Sequence, residues 1–259
     1  DEYRDALSLE LLRARLQAER TSGQSTVFTL ERLAHELQVQ GKFNEAEPLW
    51  REALEMWRET LGSRHQNTLA CINNFGLLLR AKGDLAAAEP LFREALEVSR
   101  ETLGNKHLLT LNSIHNLGTL LMAKGGFAAA EPLLREALEV QRTTLGDRHS
   151  STLGSINNLS ILLKKKGDLA AAEPLCREVL EVARETLGGR HPNTLGSINN
   201  LGMLLYMKGD LAAAEPLLRE ALEVRRETLG DRHPSTLLSI SNLGKLLKAK
   251  GDLTAAEPL

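Results

Sequence analysis

The chain has 259 residues, 42% of them hydrophobic and only 3% aromatic, so a core must be built from Leu, Ala, Ile and Val. A formal charge of −2 with 25% charged residues excludes the basic excess that a broad nucleic-acid surface needs, and no apolar run approaches the roughly 18 residues of a membrane span. The two cysteines, Cys71 and Cys176, are not related by the 42-residue period that organises the chain, which argues against a disulfide framework and for a reducing, cytoplasmic compartment.

Residues 1–22 contain ALSLELLRARLQAER, which reads as one helix, a degenerate or capping neighbour of the repeats C-terminal to it. From residue 23 the sequence repeats. GKFNEAEPL begins at Gly41, GDLAAAEPL at Gly83, Gly167 and Gly209, GGFAAAEPL at Gly125 and GDLTAAEPL at Gly251, each 42 residues after the last. His65, His107, His149, His191 and His233 keep the same spacing, and so do Asn74, Asn116, Asn158, Asn200 and Asn242. A fixed period of this length predicts an array of stacked units in place of a closed globule. The register gives five full units, about 23–64, 65–106, 107–148, 149–190 and 191–232, and a truncated sixth at 233–259.

Each unit reads as two helices. In the clearest copy helix A runs from about Thr194 to Lys208, with Leu195, Ile198, Leu201 and Leu205 near a 3.6-residue period. Gly209 ends it at the left-handed cap that glycine adopts at little cost, and Asp210 is a natural N-cap for helix B. Helix B spans about Leu211 to Thr228, with a wide apolar face from Leu211, Ala214, Leu217, Leu218, Ala221, Leu222 and Val224. Thr236 is expected to cap the following helix A or to sit in its first turn. Pro48, Pro90, Pro132, Pro174, Pro216 and Pro258 recur one turn into helix B, where an interior proline costs ~3 kcal/mol or more. A built-in bend at the small Ala86-Ala87-Ala88 segment is one reading; a helix that starts nearer the proline is the other.

These residues resemble the tetratricopeptide repeat. The resemblance rests on a small residue where helix A crosses helix B (Gly76, Gly118, Gly202 and Gly244, with Ser160 as exception), and on an early alanine in helix B at Ala46, Ala88, Ala130, Ala172, Ala214 and Ala256. A later alanine follows at Ala53, Ala95, Ala137 and Ala221, with Val179 as the departure. The 42-residue unit, longer than the family's common 34, is similar to the kinesin light chain variety. The resemblance implies an all-α, right-handed α-α superhelix whose A helices line a concave, peptide-binding groove.

Comparison among the copies places variation on one stripe of helix A. Its columns are Ala70, Asn112, Gly154, Gly196, Leu238; Asn73, His115, Asn157, Asn199, Ser241; Leu77, Thr119, Ile161, Met203, Lys245; and Arg80, Met122, Lys164, Tyr206, Lys248. Spacings of 3, 4 and 3 put them on one helix face. The candidate contact residues are therefore Asn73, Leu77, Arg80, Asn112, His115, Thr119, Asn157, Ile161, Lys164, Asn199, Met203, Tyr206, Lys245 and Lys248. Amides such as Asn73, Asn157 and Asn199 can bond an extended backbone, and Arg80, Lys164, Lys165, Lys245 and Lys248 add positive charge. In kinesin light chains Asn, Arg and Lys of this surface hold acidic peptides carrying a tryptophan, so the resemblance implies an extended, acidic segment of a partner protein. Trp57, Ser99, Gln141, Ala183 and Arg225 also vary, on helix B, and read as drift of an exposed face. Lys82, Lys124, Lys166, Lys208 and Lys250 close each helix A, where a cation complements the helix dipole for ~0.3–1 kcal/mol. Asn74 and its four equivalents are expected to bond neighbouring helices.

Catalysis is not expected. The five periodic histidines belong to different units stacked about 8–10 Å apart, whereas zinc gathers its ligands near ~2 Å. No phosphate-binding glycine loop, nucleophile triad, metal or cofactor site is evident. The reading is a protein-binding scaffold or adaptor, without nucleic-acid or membrane partners. Two other functions are consistent with the pattern. Uniform 42-residue arrays resemble the sensor arms of NB-ARC nucleotide-switch receptors, and an array ending on an uncovered helix A could self-assemble end to end. That ending also suggests a piece of a longer protein.

Overall fold

The computed structural model describes residues 2–252 and 255. They form α1 (Glu2–Ser22), α2 (Val27–Val39), α3 (Phe43–Leu61), α4 (Gln66–Lys82), α5 (Leu85–Leu103), α6 (Leu108–Ala123), α7 (Phe127–Leu145), α8 (Ser150–Lys166), α9 (Leu169–Leu187), α10 (Pro192–Lys208), α11 (Leu211–Leu229) and α12 (Pro234–Lys250). The fold is all-α and made of tandem helical hairpins, with α2, α4, α6, α8, α10 and α12 as the A helices. The chain divides within α7 into two compact units, Asp1–Val140 and Gln141–Leu259. In the first unit α1 to α6 pack in sequence and α4 also touches α6; in the second, α8 to α12 pack in sequence and α10 also touches α12. Ala256 and Pro258, which the register assigns to the sixth unit, lie outside the described residues.

Local chemistry sets the ends of these helices. Gly83, Gly167, Gly209 and Gly251 close the A helices with φ between 80° and 91°, in the left-handed region that a β-carbon disfavours. The carboxylates of Asp84, Asp168 and Asp210 then accept from the backbone N–H of Ala87, Ala171 and Ala213 at 3.0–3.1 Å. The five histidines are the N-caps of the A helices: each Nδ1 accepts the N–H two residues on, at 3.1–3.2 Å. That bond requires a ring whose hydrogen sits on Nε2. Thr236 is a first-turn residue and, like Thr68, Thr110, Thr152 and Thr194, is fully buried. The hydroxyls of Thr68, Thr110 and Thr152 donate to the carbonyls of Gly62, Gly104 and Gly146 at 2.8 Å, tying each A helix to the preceding turn.

The prolines lie inside helix B, five residues after its first residue in α5, α9 and α11. The aspartate caps hold the helix start ahead of the proline, which excludes a start delayed to the proline itself. Only the N–H to the carbonyl four residues back is forfeited, and it lies beside alanines.

The two helices of each hairpin interlock through the small residues. A β-carbon on Gly76 would stand 2.6 Å from Phe92 Cε1; on Gly118, 2.9 Å from Leu134 Cδ2; on Gly202, 2.8 Å from Leu218 Cδ2. Ser160 occupies this column in α8, and the residue at the position of Phe92, Leu134 and Leu218 is Cys176. The larger residue on one helix is matched by a smaller one on the other, as close packing demands. Ala46, Ala88, Ala130, Ala172 and Ala214 have no accessible surface, nor do Ala53, Ala95, Ala137 and Ala221.

Charge pairs order the B helices. Arg58, Arg100, Arg142 and Arg184 reach Glu94, Glu136, Glu178 and Glu220 of the next B helix at 2.5–2.7 Å. Glu89, Glu173 and Glu215 each take an arginine four residues on (Arg93, Arg177, Arg219) and a lysine closing the next A helix (Lys124, Lys208, Lys250). Those lysines, expected to act on the helix dipole, thus also bridge hairpins. Their hydrogen bonds are the leading cause that holds Glu89, Glu173 and Glu215 below the usual carboxylate range, and Lys82 does the same for Glu47.

Candidate functional site

The nominated stripe does not lie on one open surface. Asn73 and Asn199 are buried between neighbouring A helices. The Asn73 amide donates to Leu69 O at 3.2 Å and to Ser113 Oγ at 2.8 Å, and its oxygen accepts from Asn116 at 3.2 Å. Asn199 accepts from Asn242 at 2.9 Å. These two amides are therefore committed to the scaffold, and the expectation that they bond a partner's backbone gives way to an interhelical role. Of the periodic asparagines, Asn116 and Asn242 serve the same contacts, whereas Asn74 is exposed.

The remaining stripe residues keep surface. Asn112, Lys245 and Lys248 are exposed, while Leu77, Thr119, Asn157, Ile161, Lys164, Met203 and Tyr206 are half-buried. Arg80 is half-buried and donates to Thr119 Oγ1 at 2.7 Å, and burial lowers its tendency to hold a proton. His115 is pushed below the ordinary imidazole value first by burial and then by Arg80. Glu31, at the equivalent place in α2, is raised by burial although it accepts from Trp57 Nε1 at 3.1 Å.

The column Trp57, Ser99, Gln141, Ala183, Arg225 is the main surprise. It is not an exposed face: every member is buried, none above 7% exposure. Trp57, Ala183 and Arg225 face the space beside the A helices. Trp57 occupies the space next to α2, edge-on to Phe28 with centroids 5.2 Å apart. Arg225 fills the space at α12, donating to Ser235 O at 3.1 Å and Ser239 Oγ at 2.6 Å. Ala183 fills little. A cleft of about 640 Å³ stands there, between α8 and α10, floored by Val179 and Ala183 and bordered by Leu153, Gly154, Asn157, Gly196 and Asn200. The signal was present in the sequence as a column running from alanine to tryptophan beside two glycines; its inward direction was not.

Among the described residues no three His, Cys, Asp or Glu side chains gather to hold a metal ion. Both cysteines are buried, and desolvation raises both thiols, so neither is poised as a thiolate. No helix among the described residues is long and apolar enough to cross a membrane.

The tetratricopeptide-repeat model matches residues 25–101, 69–143, 110–185, 150–226 and 195–259, which together cover the array. The chain belongs to the tetratricopeptide-repeat family. It is similar to a Podosopora anserina protein described as a putative kinesin light chain with nearly identical TPR-like repeats, at 26% identity over 79% of this chain and 98% of that one, with a TM-score of 0.72. BtubC from P. vanneervenii shares the fold at 24% identity, 83% and 87% coverage and a TM-score of 0.69. The quorum sensor NprR from B. thuringiensis shares it at 15% identity, 99% and 70% coverage and a TM-score of 0.74. No curated protein matches the sequence. The repeats thus resemble those of kinesin light chains, while the low identity makes this array one of the broader family, whose fold serves protein–protein interaction.

Proposed function

We propose that the A helices bind an extended, acidic segment of a partner protein. The observation that carries this reading is a segregation of charge. The A helices α4, α6, α8, α10 and α12 contain no Asp or Glu, whereas α5, α9 and α11 carry four glutamates each. On the B helices most arginines have a carboxylate partner. On the A helices Arg80, in the first unit, and Lys164, Lys245 and Lys248, in the second, have no carboxylate partner among the described residues. A half-buried guanidinium satisfied only by a hydroxyl gains from an incoming carboxylate, since a hydrogen bond to a charged group contributes ~1.5–3 kcal/mol. Exposed amides such as Asn112 remain for the backbone.

Fluorescence anisotropy with a labelled Glu-rich dodecapeptide tests the reading, with a Lys-rich peptide of equal length as control. Binding should favour the acidic peptide, weaken as salt rises, and fall about tenfold, ~1.4 kcal/mol, in Arg80→Ala. Equal binding of both peptides, or a salt-independent affinity, refutes it.

A further inference from the structure

We propose that Phe28, Glu31 and Trp57 form a binding site for an arginine side chain of a partner protein. The proposal goes beyond the acidic-segment reading and does not rest on it, because its ligand carries the opposite charge.

The first hairpin departs from the later copies at three matched positions. Phe28 stands where every later copy has an aliphatic, glycine or amide residue, and Glu31 where they have Asn, His or Ser. Trp57 heads the column that continues as Ser99, Gln141, Ala183 and Arg225. The fold brings the three together. Trp57 is buried, and its ring stands edge-on to Phe28 with centroids 5.2 Å apart and planes 79° apart. Its indole N–H donates to Glu31 Oε1 at 3.1 Å. One buried ring thus orients both an aromatic side chain and a carboxylate, which share a face of α2 at a spacing of three residues. Phe28 itself is 64% exposed, so its ring is open to a ligand.

Glu31 has no counter-charge. Its donors are the Trp57 indole and the Cys71 thiol, both neutral, and no cation pairs with it among the described residues. The half-buried Glu89, Glu173 and Glu215 differ, since each holds an arginine and a lysine. Burial raises Glu31 above the usual carboxylate range. The free chain therefore keeps this charge at a cost, and an incoming cation offsets it. Glu31 and Glu36 also make α2 the exception among A helices, because α4, α6, α8, α10 and α12 carry no carboxylate.

The geometry selects a guanidinium over other groups. A planar guanidinium can lie on an aromatic ring and still direct N–H groups in its own plane at a carboxylate. A lysine ammonium is a compact, strongly hydrated charge that cannot stack. The array already contains both halves of such a contact. Arg51 Cζ lies 5.5 Å from the centroid of the Phe75 ring, and Arg225, in the column of Trp57, presents its guanidinium to α12. An aliphatic group would leave Glu31 unpaired, and an acidic one would face it with like charge.

The indole N–H signals of the ¹⁵N-labelled full chain test the site, because the sequence has two tryptophans. Trp57 belongs to the site, whereas Trp50 is buried at 2% exposure and serves as the internal control. The probes are N-acetyl-argininamide, N-acetyl-lysinamide and N-acetyl-leucinamide. The arginine probe should shift the Trp57 signal saturably, bind several-fold more tightly than the other two, and leave Trp50 in place. Phe28→Leu keeps apolar bulk but removes the ring, and should weaken binding about two- to fivefold, as an exposed cation–π contact implies. Glu31→Gln keeps an acceptor for the indole and should weaken binding about tenfold or more. Equal binding of the lysine or leucine probe, joint movement of both indoles, shifts that do not saturate, or unchanged binding in either variant overturns the proposal. Its failure is separable from that of the acidic-segment reading. Arg80-dependent binding of the Glu-rich peptide without a Trp57 response to the arginine probe refutes the arginine site alone. A Glu31-dependent Trp57 response with no preference for the Glu-rich peptide refutes the acidic-segment reading alone.

Discussion

Replacing glycine by alanine at two positions of α10 should change stability in opposite directions. Gly196 and Gly202 are both interior to the same helix, six residues apart. Either substitution removes backbone freedom from the unfolded chain and improves helix propensity by about 0.8–1 kcal/mol. At Gly196 the new methyl meets no atom within 4 Å, so that gain should appear almost in full. At Gly202 the methyl would lie 2.8 Å from Leu218 Cδ2, 2.9 Å from Leu218 Cγ and 3.4 Å from Leu217 Cβ. Overpacking of this kind costs ~1–3 kcal/mol, which meets or exceeds the propensity gain. The two variants should therefore differ by ~1–3 kcal/mol, read as opposite shifts of the urea midpoint at unchanged slope. The sequence supplies its own rescue. Gly202→Ser with Leu218→Cys recreates the Ser160–Cys176 pair, and the double variant should be more stable than the sum of the two single effects by ~0.5–3 kcal/mol. If Gly202→Ala stabilises as much as Gly196→Ala, or the double variant is merely additive, the interlocking argument is refuted.

Three further outcomes are expected of the same structure. His191→Ala removes the Nδ1 acceptor for the N–H of Asn193 and should lower stability by ~1 kcal/mol, a loss that chemical denaturation reads and that Asn at the same position should largely restore. Glu89, Glu173 and Glu215 sit below their unfolded value because of lysine and then arginine partners. Their stabilisation is thus complete above the unfolded carboxylate value and is lost as pH falls through the lowered folded one; Glu173→Gln should flatten the acid limb of a stability–pH curve. Glu31 runs the other way, because burial raises it. Its contribution is present at low pH and lost as pH rises through the raised value, so Glu31→Gln should stabilise at pH 7 and leave stability unchanged near pH 4.

Much of the scaffold was legible because its determinants are local. Gly209 and Asp210 end one helix and start the next through bonds spanning a few residues, and these can be read from the residues alone. The crossing glycines were legible for a different reason: the copies could be compared, and Gly76, Gly118 and Gly202 hold one column. The histidine column was read as part of a turn, yet its bond to the N–H two residues on required the backbone geometry at the cap. Where the reading faltered, the deciding quantity was rotation of a helix about its own axis. Asn73 and Asn74 are adjacent, and one points to the next A helix while the other meets solvent. Sequence variety alone could not separate them. The same ambiguity concealed the direction of Trp57, Ser99, Ala183 and Arg225, whose range of size and charge mimics surface drift.

Variation inside a packed array carries a different meaning from variation on a surface. A surface column can change alone, but a buried column can change only if its surroundings accommodate the change. Trp57 comes with Glu31 and Phe28, and Arg225 comes with the hydroxyl of Ser239. The fourth unit departs from its siblings at several buried or crevice positions together: Ser160, Cys176, Val179 and Ala183. Ser160 and Cys176 compensate each other in volume. Gly154 and Ala183, with Gly196 across the gap, do not; all three are small and all three face one space. An uncompensated set of small residues forfeits packing that the neighbouring hairpins retain, and apolar space open to solvent is costly.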